Sequence, residues 1–244
     1  MALTEQEREK KQAERAAREK ERTAKRLEKE RLEAERLEGM RVYERQYEEC
    51  GRICGIDEAG RGPLAGPVVA AAVILPKGLT IPYVNDSKKL TEKRREALYP
   101  EIMEKALAVG VGIVSEKRID EINILQATYE AMRQAIQGLE ICPDILLNDA
   151  VQIPGVGIRQ VPIVKGDAKS ISIACASIIA KVTRDRMMIG YDKTYPAYGF
   201  AHHKGYGSQA HIAAIQKNGP CPIHRRSFIR NIVGEEGAAD EDRQ

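Results

Sequence analysis

Acidic side chains follow three apolar, strand-like runs of the sequence. "RICGID" ends at Asp57 and is followed by Glu58, "DILLND" ends at Asp149, and "RQVPIVKGD" ends at Asp167. Charged groups beside an apolar core are costly unless something compensates them. In an open α/β sheet, functional sites gather at the carboxyl ends of the strands. If these three strands are neighbours, we expect their four carboxylates to meet at one edge of the sheet.

A cluster of four carboxylates requires a compensating positive charge. Left unpaired, the carboxylates would repel one another and raise each other's pKa values. Mg²⁺ and Mn²⁺ prefer oxygen ligands, and Mg²⁺ usually keeps water molecules and shares the oxygens of substrate phosphates. The pattern therefore predicts a site for a hard divalent cation.

Simpler structural roles stay open for two of these acids. Asp149 is followed by alanine and could be a turn residue, whereas Asp167 follows Gly166 and could cap the next helix at its N-terminus. Asp57 and Glu58 are harder to explain in this way, because they adjoin the turn sequence "GRG".

The adjacency of Asp57 and Glu58 raises a geometric objection. Neighbouring residues of a regular strand face opposite sides, so both carboxylates can reach one centre only where the strand bends. Gly60 and Gly62 follow directly and make such a bend easy.

The elements that must hold these acids indicate a compact α/β domain over residues 49–233. Five strand-like runs separated by helical segments predict a mixed five-stranded sheet flanked by helices, followed by a C-terminal helical subregion. One helix should begin near Thr91 and be kinked or split by Pro100. Another, amphipathic helix is expected from Glu121 to Leu139.

The two ends of the chain differ from this domain. Residues 1–48 are rich in Ala, Glu, Lys and Arg and predict a charged helical N-terminal extension, with Tyr43 and Tyr47 fixing its end to the core. Residues 234–244 predict an acidic, disordered tail. Residues 51–233 carry 24 basic and 17 acidic side chains, a balance that favours a polyanionic partner.

Composition also bears on location. The sequence has no apolar run of the ~18 residues that a membrane span needs, its first residues are densely charged, and its five cysteines form no repeated C-x-x-C motif. We therefore expect a cytoplasmic protein with reduced thiols and no membrane partner. A zinc site built from Cys50, Cys54, Cys221 and His224 is conceivable but lacks the usual ligand spacing.

Longer blocks of the sequence resemble the ribonuclease HII family. They are "GIDEAGRGPLAGPVVAAAVIL", "NDSKKLTEKRR", "INILQAT", "LLNDA", "VKGDAKSISIACASIIAKVTRD" and "YGFAHHKGYGS", and the similarity covers about residues 41–230. The resemblance implies an RNase H-like fold and an enzyme that hydrolyses the RNA strand of RNA–DNA hybrids with Mg²⁺ or Mn²⁺. It also implies nicking of duplex DNA on the 5′ side of an embedded ribonucleotide, which starts its removal and leaves 3′-hydroxyl and 5′-phosphate ends.

The same resemblance assigns roles to particular residues. The family's catalytic, metal-binding carboxylates fall on the four acids that the strand ends also indicate, namely Asp57, Glu58, Asp149 and Asp167. Two ions about 4 Å apart would clamp the scissile phosphate, one activating water and the other stabilising the leaving 3′-oxygen. The residues implied in substrate binding are Gly60, Arg61 and Gly62, which with Tyr206 read the ribonucleotide 2′-hydroxyl, and Lys88 and Lys89, which contact phosphates.

Other basic side chains are weaker candidates for phosphate contacts. They are Lys169, Lys181, Arg184, Lys204, Arg225 and Arg226. His202, His203 and His211 could assist at the site or lie on the surface.

Three other interpretations are weighed against this one. The sister family, ribonuclease HIII, carries a folded N-terminal domain, a lysine in its glycine loop and glutamate as its fourth carboxylate, whereas this chain has Arg61 and Asp167. A catalytically silent nucleic-acid-binding module would gain nothing from four acids facing a phosphate backbone. A protein partner on the N-terminal helix stays open, and we expect a monomer because no long apolar seam demands association.

Overall fold

A five-stranded sheet forms the centre of the computed structural model, which describes residues 5–233. Its strands are β1 (Ile53–Ala59), β2 (Val68–Ile74), β3 (Ala108–Val114), β4 (Ile145–Asp149) and β5 (Arg159–Ile163), in the spatial order β3-β2-β1-β4-β5. β2 runs antiparallel to β1 and β3, whereas β4 runs parallel to β1 and β5. The predicted mixed sheet is confirmed, and the predicted acidic tail lies outside the described residues.

Helices cover both faces of this sheet. The element α4 (Glu116–Gln137) packs on β2 and β3, and α5 (Ile171–Thr194) packs on β1 and β2. The element α3 (Glu92–Lys105) lies against α5. The remaining helices are α1 (Glu5–Gly39) and α2 (Val42–Gln46) before the sheet, and α6 (Phe200–His203), α7 (Gln209–Asn218) and α8 (Arg226–Val233) after it.

The strand β2 is buried along its whole length. Val69 and Ala71 pack in the core beneath α5, and Ala70 and Ala72 pack in the core beneath α4. Successive side chains thus enter two different cores, one on each face of the sheet. This double burial explains why the run "PVVAAAVIL" is continuously apolar instead of alternating with polar residues.

The helix α5 approaches β1 very closely. A Cβ atom added to Gly55 would lie 2.1 Å from the backbone of Ser172, so a larger residue cannot occupy this position without a shift. Small residues on α5 allow close packing against the sheet, and all of them are buried: Ala174, Cys175, Ala176, Ser177 and Ala180. The contact fixes α5 beside the strand that carries Asp57.

Two helix predictions need correction in detail. The helix α3 begins after its cap Thr91 as expected, and Pro100 does not split it, because the helix continues to Lys105. Pro100 lies on the exposed side, and burial of neighbouring apolar residues outweighs the hydrogen bond that proline cannot make. The helix α4 begins five residues before Glu121 and is interrupted at Asn123, whose φ of 67° and ψ of 163° are not helical.

The end of α1 is part of the packed structure. Leu37 and Met40 are buried in the core that lies beneath α5. The Glu33 side chain accepts a hydrogen bond of 2.6 Å from the backbone N–H of Tyr83. Arg36 donates a hydrogen bond of 2.8 Å to a backbone carbonyl of the same loop. The division of the chain at residue 48 stays a prediction, and these contacts show that the last turns of α1 pack with the residues that follow.

The predicted anchoring of Tyr43 and Tyr47 is confirmed. Both rings pack against a small apolar cluster that includes Leu147 and Ile173, next to the sheet. Within the described residues, no helix has the length and apolar character that crossing a membrane requires.

Candidate active site

Three carboxylates converge at the edge of the sheet where the parallel strands end. Asp57 lies near the end of β1 and Asp149 ends β4, its neighbour. Asp167 lies in a short 3₁₀ turn, Gly166–Ala168, which follows β5. One oxygen atom of each of these three side chains lies within 4.8 Å of the others. The adjacency of β1, β4 and β5, which the sequence analysis required, is confirmed.

Hydrogen bonds tie the ends of the strands together at this cluster. The Asp149 carboxylate accepts a hydrogen bond of 2.7 Å from the N–H of Gly166, which holds the turn carrying Asp167. Asp149 therefore also has a structural role in this turn. The alternative that Asp167 caps α5 was wrong, because Ser170 is the cap and accepts from the N–H of Ile173.

The electrostatics of the cluster fit a cation site. Burial, followed by repulsion from Glu58, raises the pKa of Asp57 well above its usual value. Burial, followed by repulsion from Asp86 and Asp149, raises the pKa of Asp167 to about 6. Carboxylates held together in this way without a bound cation are under-compensated, and a divalent ion with oxygen ligands supplies the missing charge.

Lys88 acts on the same cluster. Burial lowers the pKa of Lys88, but attraction to the carboxylates, with Asp57 and Asp167 foremost, outweighs this effect and raises it overall. The lysine side chain is exposed at its outer side. It therefore lies between the acids and solvent, where a phosphate could reach it.

Glu58 stands beside the three-carboxylate group without joining it. Its side chain is 14% exposed, and Arg61 donates to it across 3.3 Å. Burial raises the pKa of Glu58, and Asp149 raises it further by repulsion, while Arg61 lowers it. Three of the four expected carboxylates therefore lie within 4.8 Å of one another, and Glu58 lies near enough to Asp149 to be repelled by it. The role of Glu58 as a metal ligand stays a prediction.

Asp86 was not predicted from the sequence, where only Lys88 and Lys89 of the stretch "NDSKKL" were assigned a role. Its carboxylate accepts a hydrogen bond of 2.9 Å from the N–H of Lys88 and caps the 3₁₀ turn Ser87–Lys89. It also repels Asp167 and contributes to its raised pKa. The pattern Asp–Ser–Lys is a capping signal that could have revealed this position.

Two buried arginines hold the glycine loop, and both were wrongly considered for phosphate contacts. Arg225 donates to the carbonyl oxygens of Gly60 at 2.6 Å and Arg61 at 3.0 Å. Arg184 donates to the carbonyls of Ala65 at 3.0 Å and Pro67 at 2.9 Å. Neither side chain is accessible to a nucleic acid, because both are at most 1% exposed.

The conformation of Gly60 depends on this packing. Its φ of 97° lies in the region that favours glycine, and a Cβ atom there would lie 2.1 Å from Nε of Arg184. The following residues, Arg61 and Gly62, are exposed. The loop therefore presents its outer edge to solvent while its carbonyls bind the buried arginines.

Tyr206 lies next to this loop. Its side chain is 47% exposed, and its Cε1 atom lies 3.9 Å from the position of a Cβ atom on Gly62. The Lys181 ammonium lies 5.9 Å from the centre of the ring. Lys181 itself pairs with Asp185 at 2.7 Å, so its charge is largely committed within the protein. The structure thus brings Gly62 and Tyr206 together at the surface.

The remaining sequence candidates divide by exposure. Lys89 and Lys169 are exposed, and their contacts with phosphate stay predictions. Lys204 is buried and pairs with Glu92 at 3.5 Å.

Among the described residues, the cluster with metal-ligand geometry is the aspartate group, and the suggested zinc site was wrong. Its members Cys54 and Cys221 lie in two different apolar cores.

Comparison with known proteins agrees with this fold and with the position of the acids. The mixed sheet and its flanking helices have the RNase H-like fold. The structure superposes on ribonuclease H2 from Pyrococcus horikoshii with a TM-score of 0.62 and 28% identity, covering 78% of this chain and 100% of that one. It also superposes on RNase HII of the PCNA complex from Archaeoglobus fulgidus, with a TM-score of 0.60 and 27% identity, covering 76% of this chain and 96% of that one.

A sequence model of ribonuclease HII matches residues 54–231, and the chain belongs to the ribonuclease HII family. Ribonuclease HII of Lachnoclostridium phytofermentans is 66% identical over 194 residues, which cover 80% of this chain and 76% of that protein. Ribonuclease HII of Ruminiclostridium cellulolyticum is 59% identical over 196 residues, covering 80% and 77%. The protein is therefore a ribonuclease H hydrolase, of a family that cleaves RNA in RNA–DNA hybrids.

Proposed function

We propose that this enzyme nicks duplex DNA on the 5′ side of single embedded ribonucleotides, in addition to cleaving the RNA strand of hybrids. The observation that carries the proposal is the group of three carboxylates within 4.8 Å of one another, at the edge of the sheet beside an exposed loop and tyrosine. The cleavage leaves a 3′-hydroxyl and a 5′-phosphate.

Two divalent ions, Mg²⁺ or Mn²⁺, are the proposed cofactors. Asp57, Asp149 and Asp167 would hold them, and Glu58 is the proposed fourth ligand. The bound ions supply an activated water and a stabilising charge for the leaving oxygen. The raised pKa values of Asp57 and Asp167 support this assignment, because both acids lack full compensation in the protein itself.

The loop formed by Gly60, Arg61 and Gly62 and the ring of Tyr206 are proposed to select the ribonucleotide. A 2′-hydroxyl both donates and accepts hydrogen bonds, and it distinguishes RNA from DNA. Tyr206 is exposed and lies against Gly62, so its hydroxyl and ring are available to a sugar in the minor groove. The missing side chain at Gly62 leaves room for that approach.

Lys88 and Lys89 are the proposed phosphate contacts. Both are exposed, and the first of them lies close enough to the acids to have its pKa raised by them. Phosphate contacts of this kind position a duplex without reading its sequence. The exposed lysines therefore orient the strand, while the loop and Tyr206 supply the discrimination.

A protein partner on α1 is a second, separate proposal. Leu27 and Leu32 are 56% and 52% exposed on a helix that extends away from the packed core. A truncation that removes residues 1–28 and with them Leu27 separates this proposal from a catalytic role of the helix, because it leaves the packed residues Glu33, Leu37 and Met40 in place. Unchanged nicking would show that catalysis does not need this segment.

The free thiols of the five cysteines suit a reducing compartment and support a cytoplasmic location. A monomer is the proposed form.

The proposed function is tested with duplex DNA that contains one ribonucleotide. We expect a nick on its 5′ side with Mg²⁺ or Mn²⁺, no nick with EDTA, and none with Asp57→Asn. Asp144→Asn is a matched control. Asp144 is not one of the three clustered carboxylates, and it forms an ion pair with Arg52, with 2.9 Å between their side-chain atoms. Equal cleavage of a duplex without the ribonucleotide would contradict the roles of Arg61 and Tyr206. A nick that persists in EDTA would contradict the metal site.

A further inference from the structure

Two buried histidines lie behind the tyrosine that faces solvent. His211 is 0% exposed and His224 is 2% exposed, and their Nε2 atoms are 3.0 Å apart. His211 belongs to α7, whereas His224 precedes α8. The pair therefore joins two parts of the C-terminal helical subregion. The sequence left open whether His211 assists at the site or lies on the surface, and the structure shows that it is buried.

The direction of the hydrogen bonds in this pair follows from its neighbours. Nδ1 of His224 lies 2.9 Å from the N–H nitrogen, 3.1 Å from Sγ and 3.2 Å from the carbonyl oxygen of Cys221. We assign it as the acceptor from the N–H, the nearest of the three, and place the proton of neutral His224 on Nε2, because the Tyr206 carbonyl at the other end of the chain can only accept from His211. This proton is donated to Nε2 of His211, which must then carry its own proton on Nδ1. The Nδ1 atom of His211 lies 2.9 Å from the carbonyl oxygen of Tyr206 and donates to it. Each ring nitrogen of the two histidines is therefore either a donor or an acceptor, and these assignments agree along the whole row of hydrogen bonds.

Both imidazoles are kept neutral by their surroundings. Burial lowers the pKa of His211 and of His224 to about 4. His203 stacks on His211 with ring centres 4.3 Å apart, and Phe200 meets His211 edge-on at 5.4 Å. A charged imidazolium would have two donors and would break the directed chain, because His224 must accept at one nitrogen.

The segment that these bonds hold has an unusual backbone. Lys204 has a φ of 51° and Gly205 a φ of 85°, both in the left-handed region, immediately before Tyr206. The N–H of Gly205 donates to Nδ1 of His203 at 3.2 Å. Tyr206 follows these two left-handed residues and is 47% exposed, so the position of its ring depends on how its backbone is held.

We infer that His211 and His224 are positioning residues that set the location of Tyr206, and through it the selection of ribonucleotides. The inference rests on the proposed function of Tyr206. It goes beyond that function because it assigns ribonucleotide selection to two side chains that touch neither substrate nor metal. The carbonyl of Tyr206 also accepts from the N–H of Ser208 at 2.8 Å, so the histidine supplies the contact from outside its own turn.

The first test measures the tautomers in the full-length protein without substrate. Long-range ¹H–¹⁵N NMR spectra of the imidazoles should show the Nδ1–H form for His211 and the Nε2–H form for His224 at neutral pH. An Nε2–H form or an imidazolium at His211 would overturn the inference. A zinc ion found between the two rings would also overturn it. The NMR measurement does not depend on activity, so it separates failure of the inference from failure of the proposed function.

The second test measures nicking at a single ribonucleotide. His211→Phe keeps the ring packing and removes both hydrogen bonds of the imidazole. Because only the bond to the Tyr206 carbonyl acts on Tyr206 directly, we expect a loss of about tenfold in kcat/KM, the equivalent of one hydrogen bond. His211→Asn keeps a donor near the Nδ1 position and should recover most of this loss. His202→Phe, at an exposed neighbouring position, is the matched control and should have no effect.

A double-variant comparison decides whether the effect passes through Tyr206. In a Tyr206→Ala background, His211→Phe should cause no further loss, because the side chain that it positions is absent. Equal tenfold losses in both backgrounds would overturn the inference and assign the histidines a general structural role. If the wild type does not nick at ribonucleotides at all, the proposed function fails, while the NMR result still decides the geometry.

Discussion

Asp57→Asn should stabilise the protein in the absence of metal while it removes catalysis. The carboxylate oxygens lie within 4.8 Å of one another, and two unit charges at that outer distance repel with about 3 kcal/mol at an effective dielectric constant of about 20. Asp57 escapes part of this repulsion by binding a proton, since its pKa is raised by burial and by Glu58, and Lys88 offsets another part. We therefore expect a gain of about 1–2 kcal/mol, which corresponds to a rise in Tm of about 2–8 °C for a chain of this size.

The assay is thermal unfolding in EDTA and then with saturating Mg²⁺ or Mn²⁺. Wild-type protein should gain stability on adding metal, because an ion that binds only the folded state stabilises it. Asp57→Asn should start at a higher Tm and gain little. Asp144→Asn, which loses an exposed ion pair with Arg52, should start at the same Tm or slightly lower and keep the full metal response.

A fall in Tm of several degrees for Asp57→Asn in EDTA would refute this reasoning. It would mean that the Asp57 carboxylate is held by favourable contacts and does not suffer net repulsion. An unchanged response of this variant to metal would separately show that Asp57 is not a ligand.

Three further predictions concern the loop, the tyrosine and the histidine. Gly60→Ala should destabilise the protein by about 3 kcal/mol, because of its φ of 97° and the 2.1 Å contact of the added Cβ. Chemical denaturation measures this loss. The control Gly157→Ala, with no atom within 4 Å of its Cβ, should be nearly neutral. Tyr206→Phe should lower nicking at a single ribonucleotide about tenfold with Tm unchanged, and full activity in a gel assay would exclude a role for the hydroxyl. Acid should destabilise the wild type more than His211→Phe. The folded state holds the His211 pKa at about 4, against 6.5 for the free side chain. Because the unfolded chain binds more protons between these two values, stability falls as the pH falls through this window. Between pH 7 and pH 5 the wild type should lose about 2 kcal/mol more of its unfolding free energy than His211→Phe does, measured by urea unfolding, and parallel pH curves would contradict the buried, neutral state.

The positions of Asp57 and Asp149 could be predicted because local patterns determine them. Each follows a short apolar run, and a strand end is defined by the residues that surround it. Asp167 could be placed only approximately, since it lies four residues beyond β5, in a turn that Asp149 holds by a side-chain hydrogen bond. Contacts between distant segments of this kind leave little trace in a single sequence.

Arg184 and Arg225 show the same limit more clearly. A basic residue on a helix or in a loop has the same sequence appearance whether it faces solvent or donates to buried carbonyls. Their direction is set by the loop from Gly60 to Pro67, which is more than 100 residues away along the chain and supplies the acceptors. Pro100 failed as a signal for a related reason, because packing of the helix outweighs a local preference.

The most direct measurement of the central claim is anomalous diffraction from crystals of the full chain soaked in Mn²⁺. We expect a manganese peak bonded to carboxylate oxygens of Asp57, Asp149 and Asp167, and we expect it to be lost in Asp57→Asn. A soaked crystal with manganese bound elsewhere and none at these three side chains would contradict this claim.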